Sequence, residues 1–476
     1  MSSLRYVVVS DLHLGAANSI LTSLTPDNRE TSPNTASDLL VQFAACLREV
    51  ASIHEGGQRP TLILNGDILE LALAGTNEAT MAFRKFFEAL TGSGDGAQWP
   101  FDRKIYYLPG NHDHHLWNVA RERQYRESYL ARTRADEPLK PEFQTTNMFC
   151  DDSLRPVPCD YLDLAVKPLQ AASEVSFLTV YPNFALLNGD KTRCVVFHHG
   201  HYIESIYSAM TELKKLFFPA ESFPRAIWDL EAENGAWIDF FWSALGRSGQ
   251  VGRDVELIYD KMQSSPELQK VLARLARSLS EKIPPRQRWS SLLMAPVMSF
   301  LLRHVAEPLV VREVHHTDSV LSRDAQGGLA RYMEDYVLRE ITRIRNLSVP
   351  ANVTFVFGHT HKPFESEGRF KGFPKATLLN SGGWVVDTAA VSPLKGGAVI
   401  VVDDDLNVAS LRMYNEHDPR DPVRVCVHAA EENPSFHALS RSVDPAAEPW
   451  RRFSELADAA IDSHRQNLFF HISACS

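Results

Sequence analysis

Asp, Asn and His residues recur in five short stretches of this sequence, each following a run typical of a β-strand. They are Asp11-Leu-His13, Gly66-Asp67, Gly110-Asn111-His112-Asp113, His198-His199-Gly200-His201 and Gly358-His359-Thr360-His361. Mixed carboxylate, amide and imidazole groups suit divalent first-row metals; no thiolate accompanies them, which argues against a structural zinc site. Residues at i and i+2 of an extended chain share a face, so Asp11 and His13 can grip one ion together. His359 and His361 can do the same, or reach two neighbouring ions. The adjoining glycines (Gly15, Gly66, Gly110, Gly200 and Gly358) permit tight turns and close backbone approach. A single Asp-x-His or Gly-Asp is usually an ordinary turn. Five such stretches in order, each at a strand end, are not explained that way.

To gather these groups, the strands must deliver their ends to one place. Strands are predicted at 5–10, 61–65, 104–108 and 193–198, with a short hairpin of 177–181 and 184–187 before the last. Helices are predicted at 35–53, 78–90 and 116–134. Such alternation points to an α/β layered fold with its catalytic groups on loops at strand ends. From about residue 202 to 349 the pattern turns helical, with clustered aromatics (Phe217, Phe218, Trp228, Trp237, Phe240, Phe241, Trp242). That stretch is long enough to be a domain. Strand character returns at 353–357, 376–380, 398–402 and 410–414. The sequence therefore reads as a catalytic domain over 1–201 and 352–415, interrupted by a helical insertion over 202–351. Residues 416–476 read as a wrapping C-terminal tail with little strand structure.

A chain of 476 residues exceeds one simple core, which agrees with this division. An apolar share of 44% and a charged share of 23% are those of an ordinary soluble protein. The net charge of −10 disfavours nucleic acid as a general partner, while leaving room for a local basic groove. Six cysteines without C-x-x-C spacing read as reduced thiols in a cytosolic protein. No apolar leader precedes the first strand, so no export signal is expected and the expected location is cytoplasmic. The nearest approach to a membrane span, 289–302, is short, contains Pro296 and lies between Arg288 and Arg303. It could lie on a membrane surface as a peripheral contact but not cross it.

The ordered set of stretches resembles the calcineurin-like metallophosphoesterases, over about residues 4–201 and 352–415. The resemblance implies a four-layer α/β/β/α sandwich around a dinuclear centre, here with a large helical insertion. It implies two divalent ions, Mn, Fe, Zn or Ni. Carried over position by position, Asp11, His13, Asp67 and His361 would hold one ion. Asp67, Asn111, His199 and His359 would hold the other, with Asp67 bridging. The family pattern selects His199 from its histidine cluster, leaves His201 to support a ligand or touch substrate, and turns His198 to the opposite side of the strand. Asn380-Ser381-Gly382 looks like the family's loop after the last motif, with Asn380 as a substrate contact. Two ions sharing a hydroxide would attack phosphorus and neutralise the equatorial oxygens. His112, beside the ligand Asn111, is the expected catalytic group that protonates the leaving oxygen. Asp113 is expected to hydrogen-bond His112 and keep it cationic, the alternative being a cap on the following helix. His114 and His115 read as surface or rim residues, and His315 and His316 as an ordinary polar helix face.

The resulting function is hydrolysis of a small-molecule phosphomonoester, phosphodiester or pyrophosphate, with an apolar moiety on the substrate if the insertion supplies apolar contact. Asp67-Ile-Leu-Glu70, followed by Leu-Ala-Leu, resembles the bacterial branch that cleaves the pyrophosphate of the lipid-linked sugar nucleotide UDP-diacylglucosamine. That branch carries Arg where this chain has His112. Ser10-Asp-Leu-His-Leu-Gly15 also resembles DNA-repair nucleases of the superfamily, but no long Lys/Arg stripe accompanies it. Members that have lost ligands serve as binding scaffolds; here every ligand type is present. Both ends of the insertion join metal-binding loops, so it reads as a cap at the site's mouth. Its apolar residues serve either its own core or an acyl chain or membrane interface.

Overall fold

The β-branched and aliphatic runs form strands, in keeping with their preference for a pleated, half-buried surface. A computed structural model describes residues 3–53, 57–92, 94, 96–150, 156–218, 220, 224–244, 319–344, 348–388, 390–416 and 424–474. The strands are β1 (Leu4–Val9), β2 (Thr22–Leu24), β3 (Thr31–Ala36), β4 (Thr61–Asn65), β5 (Lys104–Leu108), β6 (Val157–Pro158), β7 (Ser176–Thr179) and β8 (Asn183–Leu187). They continue with β9 (Arg193–His198), β10 (Asn352–Phe357), β11 (Phe364–Gly368), β12 (Ala376–Asn380), β13 (Gly396–Asp403), β14 (Val408–Asn415) and β15 (Cys426–His428). Eight strands form one sheet in the order β15-β14-β13-β1-β4-β5-β7-β6. Five form a second in the order β11-β12-β10-β9-β8, and β2 pairs with β3 in a small hairpin.

Within the larger sheet β1, β4 and β5 are parallel neighbours; within the smaller, β9, β10 and β12 are. Parallel neighbours send their carboxyl ends to one edge, where α/β folds place their ligands. All five candidate stretches leave the sheets at such edges.

Apolar burial follows the two-residue period of the strands. On β1, Val8 joins Ile63, Leu108, Val195, Phe197, Val356 and Leu379 in a core drawn from both sheets. Val7 and Val9 face the other way, into a core with Phe43 of α1 (Asp38–Ser52), Phe86 of α2 (Thr76–Thr91) and Phe453 of the C-terminal helix Trp450–Ala474. Ser37 caps α1 by accepting from the Leu40 N–H at 3.0 Å, and Leu39, Phe43, Leu47 and Val50 are buried along one face. The other face of the smaller sheet, with Val196, Phe355 and Phe357, packs on Tyr202, Ile206, Leu230, Leu329, Tyr332 and Val337.

One local pattern resolves differently from the sequence reading. The hairpin expected of 177–181 and 184–187 does not form: β7 pairs with β5 in the larger sheet and β8 with β9 in the smaller. A short gap fits a hairpin loop, but each strand finds its partner elsewhere in the chain. Beyond residue 416, β15 extends the larger sheet, and the helices Pro434–Ser442 and Trp450–Ala474 follow. Trp450, Phe453, Ala457 and Ile461 are buried in the helix-side core, so this segment is part of the packing.

The described part of 202–351 consists of short helices and turns, including the helices Ala209–Phe217, Ile227–Ile238 and Arg323–Arg331. The stretch 289–302 and His315 and His316 lie outside the described residues. Among the described residues, no helix is long and apolar enough to cross a membrane.

Candidate metal centre

The loops after β1, β4, β5, β9 and β10 bring their polar side chains into one buried cluster. His13 Nε2 lies 3.2 Å from His361 Nε2, which lies 3.6 Å from Asp11 Oδ1. His199 Nε2 lies 3.0 Å from Asn111 Oδ1 and 3.1 Å from Asp67 Oδ2. Asp67 Oδ2 is also 3.8 Å from His13 Nε2, so one carboxylate oxygen faces both halves. Among the described residues, three groups have ligand atoms close enough to hold an ion: Asp11–His13–His361, Asp67–His199–His359 and His13–Glu70–His112. Contacts between the sheets hold the halves together. Ser10 Oγ meets Ser381 Oγ at 2.6 Å, the His359 N–H donates to Asp11 Oδ1 at 2.7 Å, and Asn65 Nδ2 donates to the His198 carbonyl at 3.2 Å.

The backbone is unusual here. Nine non-glycine residues among those described have positive φ, and five of them are Asp11, His13, Asp67, His359 and His361. Such conformations cost on the order of 1–3 kcal/mol each and concentrate where function requires them. Two glycines are required by space. Gly66 has φ of 88°, and a Cβ there would lie 2.3 Å from His199 Nδ1; one on Gly358 would lie 1.9 Å from Asp11 Oδ2.

Hydrogen bonds outside the cluster fix which imidazole nitrogen faces in. His13 Nδ1 bonds Glu70 Oε2 at 2.8 Å, His361 Nδ1 bonds Asp387 Oδ2 at 2.6 Å, and His199 Nδ1 meets the Asn65 carbonyl at 3.3 Å. A proton donated through Nδ1 leaves Nε2 as a bare lone pair. The lone pairs of His13 and His361 then face each other beside the Asp11 carboxylate, whose Oδ2 is buried without a hydrogen-bond partner. Such an arrangement is repulsive until positive charge enters it.

Proton affinities report the same demand. Burial opposes charge on His13, but the Glu70 hydrogen bond and the charges of Asp67, Glu70 and Asp11 raise its pKa to about 9. Burial also opposes charge on His199, and Asp67 and Asp11 raise it to about 9. Conversely, Glu70, though buried, is held at about 2 by His112 and His13, and Asp67 lies well below the usual carboxylate range beside His199 and His112. A bound cation would take the place of those protons.

His112 lies at the cluster, its ring 4.8 Å from that of His13, but its partner is not the expected one. Glu70 Oε1, 2.8 Å from His112 Nδ1, holds the ring. The Asp113 carboxylate accepts instead from the backbone N–H groups of Gly110 (2.7 Å), Ile68 (2.9 Å), Asp67 (3.3 Å) and Leu69 (3.4 Å). It ties the loop after β4 to the loop after β5, and makes no side-chain cap on the helix His114–Tyr125. Burial and the Asp67 charge push its pKa up to about 6.

His201, expected to support a ligand or touch substrate, and Asn380, expected as a substrate contact, are both buried and hydrogen-bonded within the fold. His201 is 0% exposed, with Nε2 3.4 Å from the Tyr181 hydroxyl and its ring beside Tyr202. Asn380 donates to the Gly358 carbonyl at 2.9 Å and Thr360 Oγ1 at 3.0 Å, and accepts from the Gly382 N–H at 2.8 Å. Its amide holds the turn that carries His359 and His361. His198 accepts from the Gly200 N–H at 2.8 Å and packs its ring on Tyr332. His114 is buried rather than at the surface, 2.9 Å from Glu231 Oε1, and His115 Nδ1 lies 3.1 Å from Asp239 Oδ1.

Three acids at the site carry no signal as ligand supports in the sequence: Glu70, Glu204 and Asp387. Glu204 Oε1 lies 2.5 Å from His359 Nε2. Only Glu70 stood inside a recognised stretch, and nothing local to it indicates that it joins two histidines.

A family model described as calcineurin-like phosphoesterase matches residues 4–242, half of the chain. The matched span holds the stretches from Asp11 to His201, while His359 and His361 lie beyond it. No curated protein matches the chain.

Proposed function

Because this chain belongs to the calcineurin-like phosphoesterase family, whose members hydrolyse phosphoesters with bound metal, we propose that it is a dinuclear hydrolase acting on a small-molecule phosphoester. The observation that carries this reading is the facing pair of His13 and His361 Nε2 atoms, 3.2 Å apart, beside a buried and unpartnered Asp11 Oδ2. Imidazole and carboxylate donors of this kind fit Mn, Fe, Zn or Ni. Asp11, His13, Asp67 and His361 would hold one ion, and Asp67, Asn111, His199 and His359 the other. When bound, the ions would lower the pKa of water and neutralise charge growing on the phosphoryl oxygens.

The chain's own groups supply orientation and a proton. Glu70 joins His13 to His112 by accepting from both Nδ1 atoms at 2.8 Å, so one buried carboxylate sets both rings. His112, held through Nδ1, offers Nε2 to the leaving oxygen, and a proton at that atom would be transferred as the ester bond breaks. Asp113 acts through the backbone, keeping Asp67 and Asn111 at a fixed separation.

The packing supports a four-layer α/β/β/α reading, in which the catalytic unit comprises 1–201 and 352–415. In that reading, the described helices of the insertion 202–351 form the layer over the smaller sheet. The functional test is metal content per chain together with turnover of an aryl phosphate monoester and a bis-aryl phosphodiester in Mn²⁺. Two ions per chain and turnover abolished by a chelator are expected. A protein that binds no metal, or hydrolyses equally well after chelation, would overturn the reading.

A further inference from the structure

Three candidate ligand histidines are held from outside through Nδ1: His13 by Glu70, His361 by Asp387 and His199 by the Asn65 carbonyl. His359 is held the other way round. Its Nε2 lies 2.5 Å from Glu204 Oε1, a carboxylate that is 5% exposed. The backbone of His359 is already fixed, with φ of 68° and its N–H donated to Asp11 Oδ1 at 2.7 Å. What remains to be set is the ring. Tyr207 and His199 each lie edge-on to it, both at 5.2 Å between centroids, but neither aromatic edge chooses between the nitrogens. The Glu204 carboxylate does choose, because it accepts a proton from whichever nitrogen faces it and holds that bond strongly in a buried setting.

We propose that Glu204 is a positioning residue that fixes His359 as its Nε2–H tautomer, so that His359 offers Nδ1 to the ion shared with Asp67 and His199. The inference rests on the metal reading above. It also changes what the insertion does. Glu70 and Asp387 lie in the segments that form the sheets, whereas Glu204 and Tyr207 lie in the first turns of the insertion. The insertion thus completes one half of the metal centre from outside, while the Asp11–His13–His361 half is supported without it. Partners that orient metal-ligating histidines typically contribute about 10- to 100-fold in metal affinity, which sets the expected effect.

The test is calorimetric titration of chelator-treated, full-length protein with Mn²⁺, using wild type, Glu204→Ala and Glu204→Gln. Wild type should take up two ions. Glu204→Ala should keep one at wild-type affinity and bind the other about 10- to 100-fold more weakly. Glu204→Gln, which keeps an acceptor oxygen without its charge, should fall between them; it carries the test alone if circular dichroism shows the alanine variant unfolded. Unchanged affinity for both ions in a folded variant overturns the assignment. So does equal weakening of both, since Glu204 would then support the cluster as a whole. A wild-type protein that binds no Mn²⁺ overturns the metal reading itself, and it does so before any substitution is made.

Discussion

His199 and His201 lie with ring centroids 5.7 Å apart and both are buried, yet their proton affinities diverge. Burial lowers both. Around His199 the carboxylates of Asp67 and Asp11 outweigh it and lift the pKa to about 9. Around His201 burial is reinforced by His198, His199 and His359, and the pKa falls well below the usual value. Glutamates show the same contrast. Glu70, against the imidazoles of His112 and His13, lies at about 2. Glu340, in a helical turn packed on the smaller sheet, is raised by burial to about 7, opposed by a hydrogen bond from Asn183 Nδ2 at 2.7 Å. Equal burial thus yields a charge-rich cluster at the strand tips and a polar seam between Glu340 and β8 of the smaller sheet. Convergence of opposite charge, and not burial, separates them.

Asp67→Ala is the harshest way to break this contrast. It removes the one carboxylate that faces both halves, so metal content and turnover should fall together to background. Retention of both ions would show that Asp67 is not shared. His112→Asn should lower turnover by about 10²-fold or more while keeping the metal, the usual size of a general-acid contribution. Metal lost with activity would instead make His112 a ligand, alongside His13 and Glu70.

Protons and cations compete for the same lone pairs, so pH sharpens the comparison. His13 and His199 hold protons up to about 9, and an ion must displace them. Apparent Mn²⁺ affinity should therefore rise with pH towards about 9 and weaken on acidification, by about tenfold per pH unit for each proton released. Calorimetry in two buffers of different ionisation enthalpy counts those protons; none released would contradict the assignment.

The smallest effect belongs to the seam. Glu340 binds its proton more tightly when folded, about 7 against an ordinary 4.5. Its contribution to stability is therefore full below pH 4.5 and is lost as pH rises through about 7. Glu340→Gln should remove this loss and be the more stable protein above neutrality by about 3–4 kcal/mol, at roughly 1.4 kcal/mol per pKa unit. Denaturant unfolding of both proteins between about pH 5 and pH 8 reads the difference. Parallel profiles would mean that Glu340 is not protonated in the fold.

Much of the site was legible without the structure. The strands at 61–65, 104–108, 193–198 and 376–380 coincide with the sequence reading, because β-branched and aliphatic runs between turn residues specify them locally. The candidate ligands were legible too, since Asp11 with His13 and His359 with His361 stand two residues apart beside glycines, although positive φ, and not extended chain, carries all four. Only the tertiary structure decided what those residues touch. It sent β7 and β8 to different sheets where local spacing allowed a hairpin. It gave Asp113 four backbone donors in place of His112, and sealed His201 from solvent. It also chose the acids that orient the imidazoles: Glu70 is 57 residues from His13, Asp387 is 26 from His361, and Glu204 is 155 from His359. Periodicity and turn chemistry depend on neighbours within a few residues, so they are written along the chain. Charge pairing depends on distance through space, and folding sets that distance between residues far apart in sequence.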